Sequence, residues 1–163
     1  NHIDISGMAD SKANIMISIN AIIISILMSI MIRKFEDYPN LIIPTIILVM
    51  VSLLTIVFAV LATRPNITKG KFKREDILNQ RTNLLFFGNF FRMGLDEYEW
   101  GINQLMKNSE LLYGSMTKDI YFLGKVLGRK YRLLRIAYTI FMFGLVISVL
   151  AYGAALFFFP VYH

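Results

Sequence analysis

Two histidines, eleven carboxylates and no cysteine are what this 163-residue sequence offers to catalysis or metal binding. They do not converge. His2 and His163 stand at opposite ends, and neither forms a metal or nucleophile constellation with its neighbours. The missing cysteine excludes a disulfide scaffold, a thiolate metal site and a cysteine nucleophile together. Asp96, Glu97 and Glu99 are the one carboxylate cluster, but a helix start, where the helix dipole favours acids, accounts for them without catalysis. There is no G-x-G-x-x-G, no P-loop and no H-E-x-x-H. No catalytic residue, metal or cofactor is expected, and the chain reads as a binding, signalling or membrane-acting protein, not an enzyme.

The elements that would carry any function are set by hydropathy and charge. Apolar residues make up 56% of the chain, above the roughly 45–50% of soluble domains. Three stretches are long and uncharged: residues 13–32, 38–63 and 136–163, of 20, 26 and 28 residues. About 20 helical residues cross the hydrocarbon core, so each qualifies as a span. The first is a poor signal peptide, because Asp4 and Asp10 flank it and no small-residue cleavage site follows. The expected fold is an all-α membrane protein: three transmembrane helices with a helical cytoplasmic unit between the second and third. Residues 1–63 form a transmembrane hairpin, with spans at about 13–32 and 41–63. Residues 64–135 form the cytoplasmic helical segment, and 136–163 the third transmembrane helix.

Orientation follows from Lys and Arg near the span ends. Residues 64–135 carry 14 basic and 7 acidic side chains, a surplus of +7 that exceeds the +6 of the whole chain. These charges crowd the segment's two ends, so the N-terminus and 64–135 are expected in the cytoplasm and the C-terminus outside. The basic stretch Lys69 to Arg74 fits an anionic inner leaflet better than a nucleic acid polymer, which is not an expected partner. The chain begins at Asn1 without Met, so either a removed Met or an upstream part is expected.

Each span carries a stripe of small or hydroxyl residues on one helical face. The first holds Asn14, Ser18, Ala21, Ser25 and Ser29; the second Thr45, Ser52, Thr55, Ala59 and Ala62; the third Ala137, Gly144, Ser148, Ala151 and Ala155. Such residues let helices pack closely in lipid, so the stripes read as helix interfaces, within one chain or between copies, with a pore-facing role as the rarer reading. Asn20 lies off the first stripe and needs a polar partner, which makes it a candidate contact between helices. The spans contain no Asp, Glu, Lys, Arg or His in their cores, which argues against a pump or secondary carrier.

Within 64–135, Pro65 disfavours helix at Arg64 and is expected to end or kink the second span. The run Leu84 to Arg92, punctuated by Gly88 and Gly94, reads as a turn or short strand. Helical spacing of Leu95, Tyr98, Ile102, Leu105 and Leu112 predicts a helix over about 95–112. A second helix is expected from about Ser115, with Ile120, Leu123, Leu127, Tyr131 and Leu134 on its apolar face, running into the third span.

The order and spacing of several short runs resemble one family. Ala9-Asp10-Ser11-Lys12-Ala13-Asn14 leads into an Ile-rich span; Leu85-Phe86-Phe87-Gly88-Asn89-Phe90 and Asp119 to Leu127 follow, then Lys130-Tyr131-Arg132-Leu133-Leu134-Arg135. This pattern is similar to the transmembrane effectors of bacterial Pycsar antiphage defence, also found fused behind HD-type phosphohydrolase-like domains. The resemblance covers nearly the whole chain. It implies a system in which a cyclase makes cyclic CMP or cyclic UMP on infection, and an effector at the bacterial inner membrane responds by impairing it.

A cyclic pyrimidine monophosphate would need a cation, base-edge donors and acceptors, and an aromatic surface. The candidate ligand-binding residues are Arg64, Asn66, Arg92, Trp100, Arg129 and Lys130, with Tyr98, Phe87, Asn89 and Asn103 as further stackers and amides. The helix-packing or pore-facing candidates are Asn14, Ser18, Asn20, Ser25, Ser29, Gly144 and Ser148. The expected partners are the lipid bilayer, further copies in a homo-oligomer, and a cyclic CMP or cyclic UMP ligand. The competing function is an oligomeric membrane anchor or signal-transducing module for an upstream or partner enzyme.

Overall fold

The computed structural model describes residues 2–34, 37–64 and 93–158. The described elements are helical: α1 (His2–Lys34), a 3-10 turn (Pro39–Leu41), α2 (Ile42–Thr63), α3 (Leu95–Lys107) and α4 (Ser109–Phe158). Asp4–Met31, Pro39–Thr63 and Leu112–Phe158 are each long and apolar enough to cross a membrane. The protein is an all-α membrane protein, with three such helices among the described residues.

Local sequence explains most helix ends. Pro44 lies in the first turn of α2, where its missing N–H has no intrahelical bond to lose. At the other end Arg64 is extended, with φ −60° and ψ 126°, as the residue before a proline prefers. α3 follows an extended Gly94 and carries Asp96 and Glu97 in its first turn, Lys107 in its last.

The helix expected over 95–112 is shorter, and its successor starts earlier. The break is at Asn108, extended at φ −126° and ψ 103°. Its side-chain oxygen accepts from the Glu110 N–H at 3.1 Å, and its carbonyl accepts from the Leu112 N–H at 3.0 Å. A side chain that satisfies a free helix N–H in this way starts a new helix, so Asn108 caps α4 where periodicity alone ran on to Leu112.

Two compact units divide the chain: Ile3–Arg64 with Arg129–His163, and Pro65–Gly128. In the first, α2 runs antiparallel to α4, since Asn40, Thr45 and Val51 meet Ala155, Tyr152 and Gly144 in reverse order. α1 runs parallel to α4: Asp10 meets Lys130 near its start, and Met31 near its end shares the Thr45 hydroxyl with Tyr152. The buried cluster is Ala9, Ala13 and Met16 of α1, Ala59 and Ala62 of α2, and Leu134 and Ala137 of α4. Five alanines in seven positions bring backbones close, which is how helices associate where lipid offers no hydrophobic gain. In the second unit Leu105 is buried among Met93, Trp100 and Ile102. On α4, Ile120 and Leu123 of the expected apolar face are exposed, whereas Leu134 is buried.

Candidate functional site

Polar side chains in the first unit fall into three levels along the helices. At the end where α1 begins, the Lys130 ammonium donates to both Asp10 carboxylate oxygens, at 2.8 and 2.9 Å, and to Ser6 Oγ at 3.0 Å. Three acceptors match its three N–H groups. Beside it the Tyr131 hydroxyl donates to the Ile5 carbonyl at 3.2 Å. Lys130, a candidate cation for a nucleotide phosphate, is therefore held by α1. The Lys130 side chain is mostly buried and the Asp10 side chain partly open to solvent, so the pair ties the start of α1 to one register on α4.

At the opposite end, Thr45 joins all three helices. Its hydroxyl lies 2.8 Å from the Tyr152 hydroxyl, donates to the Leu41 carbonyl at 2.6 Å, and lies 3.5 Å from Met31 Sδ. Asn40 Nδ2 donates to the Ala155 carbonyl at 3.2 Å.

Between these ends lies a buried polar layer of Asn20, Ser52, Thr55 and Ser148. Thr55 donates to the Val51 carbonyl at 2.8 Å and Ser148 to the Gly144 carbonyl at 2.7 Å, each within its own helix. Asn20 Nδ2 donates to the Met16 carbonyl at 2.8 Å, again within its own helix, while Asn20 Oδ1 and Ser52 Oγ have no hydrogen-bond partner among the described residues. Asn20 is thus buried among the helices, but its bond is not the contact between helices expected of it. Gly144 sits against α2 so closely that an added Cβ would overlap both Val51 γ-methyls and lie 3.0 Å from its Cβ.

The stripes divide. Thr45, Ser52, Thr55, Ala59 and Ala62 of α2 are buried, as are Ala137, Gly144, Ser148 and Ala155 of α4. Asn14, Ser18, Ala21, Ser25 and Ser29 of α1 are exposed. The face α1 turns inward is instead Ala9, Ala13, Met16 and Asn20. Both faces of α1 carry small residues, and spacing alone does not choose between them.

The remaining ligand candidates that the structure describes divide between the two units. Arg64 is exposed at the end of α2, and Arg129 is exposed on α4. Trp100 packs on Leu105 in the second unit, with Tyr98 half-buried and Asn103 exposed on the same helix. Asn66, Phe87, Asn89 and Arg92 lie outside the described residues, as do the Lys69 to Arg74 stretch and the Leu84 to Arg92 run. On α4, burial raises the Asp119 carboxyl above its ordinary value.

Three spanning helices with hydroxyl-lined, uncharged interiors and long helical extensions define a multi-span α-helical membrane protein. Residues 1–158 match the family described as the Pycsar effector protein domain (PycTM), and the chain belongs to that family. It is a transmembrane effector of Pycsar antiphage defence. No curated protein and no solved structure matches the chain.

Proposed function

We propose that the chain responds to a cyclic pyrimidine nucleotide, cyclic CMP or cyclic UMP, by impairing the bacterial inner membrane, and that it does so without enzymatic chemistry. The observation that carries this reading is α4. It runs unbroken from Ser109 to Phe158, about 75 Å at 1.5 Å per residue, against a hydrocarbon core of about 30 Å. A helix this long belongs both to the spans and to residues 109–128, so a bias placed on one part reaches the other. A ligand shifts only states it binds differently. In this reading the nucleotide favours one arrangement of the residues between α2 and α4, and α4 carries that preference to the hydroxyl-lined spans.

The basic surplus of 64–135 supports a cytoplasmic location for that segment and the N-terminus, with the C-terminus outside. The exposed α1 stripe supports a homo-oligomer, because Asn14 and the serines gain more against another helix than against lipid.

Purified protein reconstituted into dye-loaded liposomes tests the reading directly. Leakage on addition of cyclic UMP or cyclic CMP, and none with cyclic AMP or buffer, is the expected outcome. Silence toward every cyclic nucleotide, with insertion verified by protease protection, overturns it in favour of a membrane anchor.

A further inference from the structure

We propose that the groove between α1 and α4 binds an anionic phospholipid, its acyl chain along the groove and its phosphate at Arg135. The groove has a volume of about 620 Å³ and lies wholly within the first unit, inside the roughly 300–1,000 Å³ range of ligand clefts. Its walls are apolar over most of their length, with Ile15 and Ile19 from α1 and Phe141, Met142 and Leu145 from α4. Polarity is confined to one end, where Arg135, Tyr138 and Thr139 line it.

That end coincides with the membrane boundary. Arg135 is the last charged residue of α4, and the helix from Ile136 to Phe158 carries no Lys, Arg, Asp, Glu or His. Tyr138 follows at the depth where aromatic rings meet headgroups. The Thr139 hydroxyl is committed to the Arg135 carbonyl at 2.8 Å, so the guanidinium is the group left to meet an occupant. Among the described residues no carboxylate pairs with Arg135. A second cation lies just beyond the lining: Lys12 is exposed on α1, three residues before Ile15 and seven before Ile19, and so on the same helical face.

An apolar trough between spanning helices, with Arg135 lining its interfacial end and Lys12 about a turn beyond Ile15 on α1, fits one class of molecule in its surroundings. A phosphate diester on a hydrocarbon chain places its charge in the Arg135 fork, which matches phosphate geometry. Its chain then replaces bulk lipid along the groove. The inference rests on the spans alone and does not depend on the nucleotide reading above.

Native mass spectrometry of the full chain, released from detergent with equal phosphatidylglycerol and phosphatidylcholine, tests it. Phosphatidylglycerol adducts should dominate, and each of Arg135→Gln and Lys12→Gln should cut that preference about fivefold. Arg135→Lys should retain part of it, and Arg33→Gln, at the other end of α1, should leave it intact. Ile19→Trp should reduce adducts of both lipids by filling the groove, and excess inorganic phosphate should not displace the lipid. Equal adducts of the two lipids in the native chain overturn the proposal. So does a preference that survives the double Arg135→Gln, Lys12→Gln variant, or one that inorganic phosphate abolishes.

Discussion

At the scale of single residues, the tightest constraint in the spans is a missing side chain. Gly144 meets the branched Val51, whose χ1 is held by its helix, so a methyl added at Gly144 has little room to be accommodated. Gly144→Ala is expected to destabilise the bundle by about 1–3 kcal/mol, as overpacked cores do. Thermal unfolding in detergent should show a lowered midpoint, restored when Val51→Ala is added to the same chain. An unchanged midpoint in the single variant would mean that α2 and α4 are not in this contact in the membrane. Gly144 and Ser148 could be picked out from their spacing, since a small residue every four positions is what close helix packing requires. Lys130 was a different case. Its charge was legible, but its partner Asp10 lies 120 residues away, and no local pattern announces an ion pair between the start of one span and the approach to another.

At the scale of elements, α4 concentrates the functional argument. A Gly-Pro insertion after Arg132 should break its continuity, since proline removes a helical hydrogen bond and clashes with the preceding turn. Nucleotide binding by calorimetry should persist while nucleotide-dependent dye leakage falls to the level without nucleotide. Unchanged leakage would show that the signal takes another route. Hydropathy made the three spans legible, because water-facing helices do not run for 20 or more uncharged residues. The division between α3 and α4 was not, since Leu105 and Leu112 keep the apolar period across it. The signal that could have found it is Asn108-Ser109-Glu110, a capping residue followed by an acid in the first turn. In α1 periodicity pointed to the serine stripe, whereas burial selects Ala9, Ala13, Met16 and Asn20 and leaves the serines outward.

At the scale of the whole molecule, that outward face is where copies should meet. Because the native chain has no cysteine, Ser25→Cys supplies a unique thiol on the exposed stripe. In membranes it should form an oxidised dimer on non-reducing gels, whereas Ala59→Cys, fully buried between the helices, should not. Equal dimer from both positions would place the contact elsewhere. One property of the buried hydroxyls also bears on how the molecule is made. Thr45, Thr55 and Ser148 each donate to a carbonyl one turn back in their own helix. Thr45 meets Tyr152 only 107 residues later in the chain, a wait of about 5–20 s at ribosomal elongation rates of roughly 5–20 residues per second. During that interval the first two spans can leave the insertion machinery as a pair, with these threonine hydroxyls already satisfied, and receive the last helix when translation delivers it.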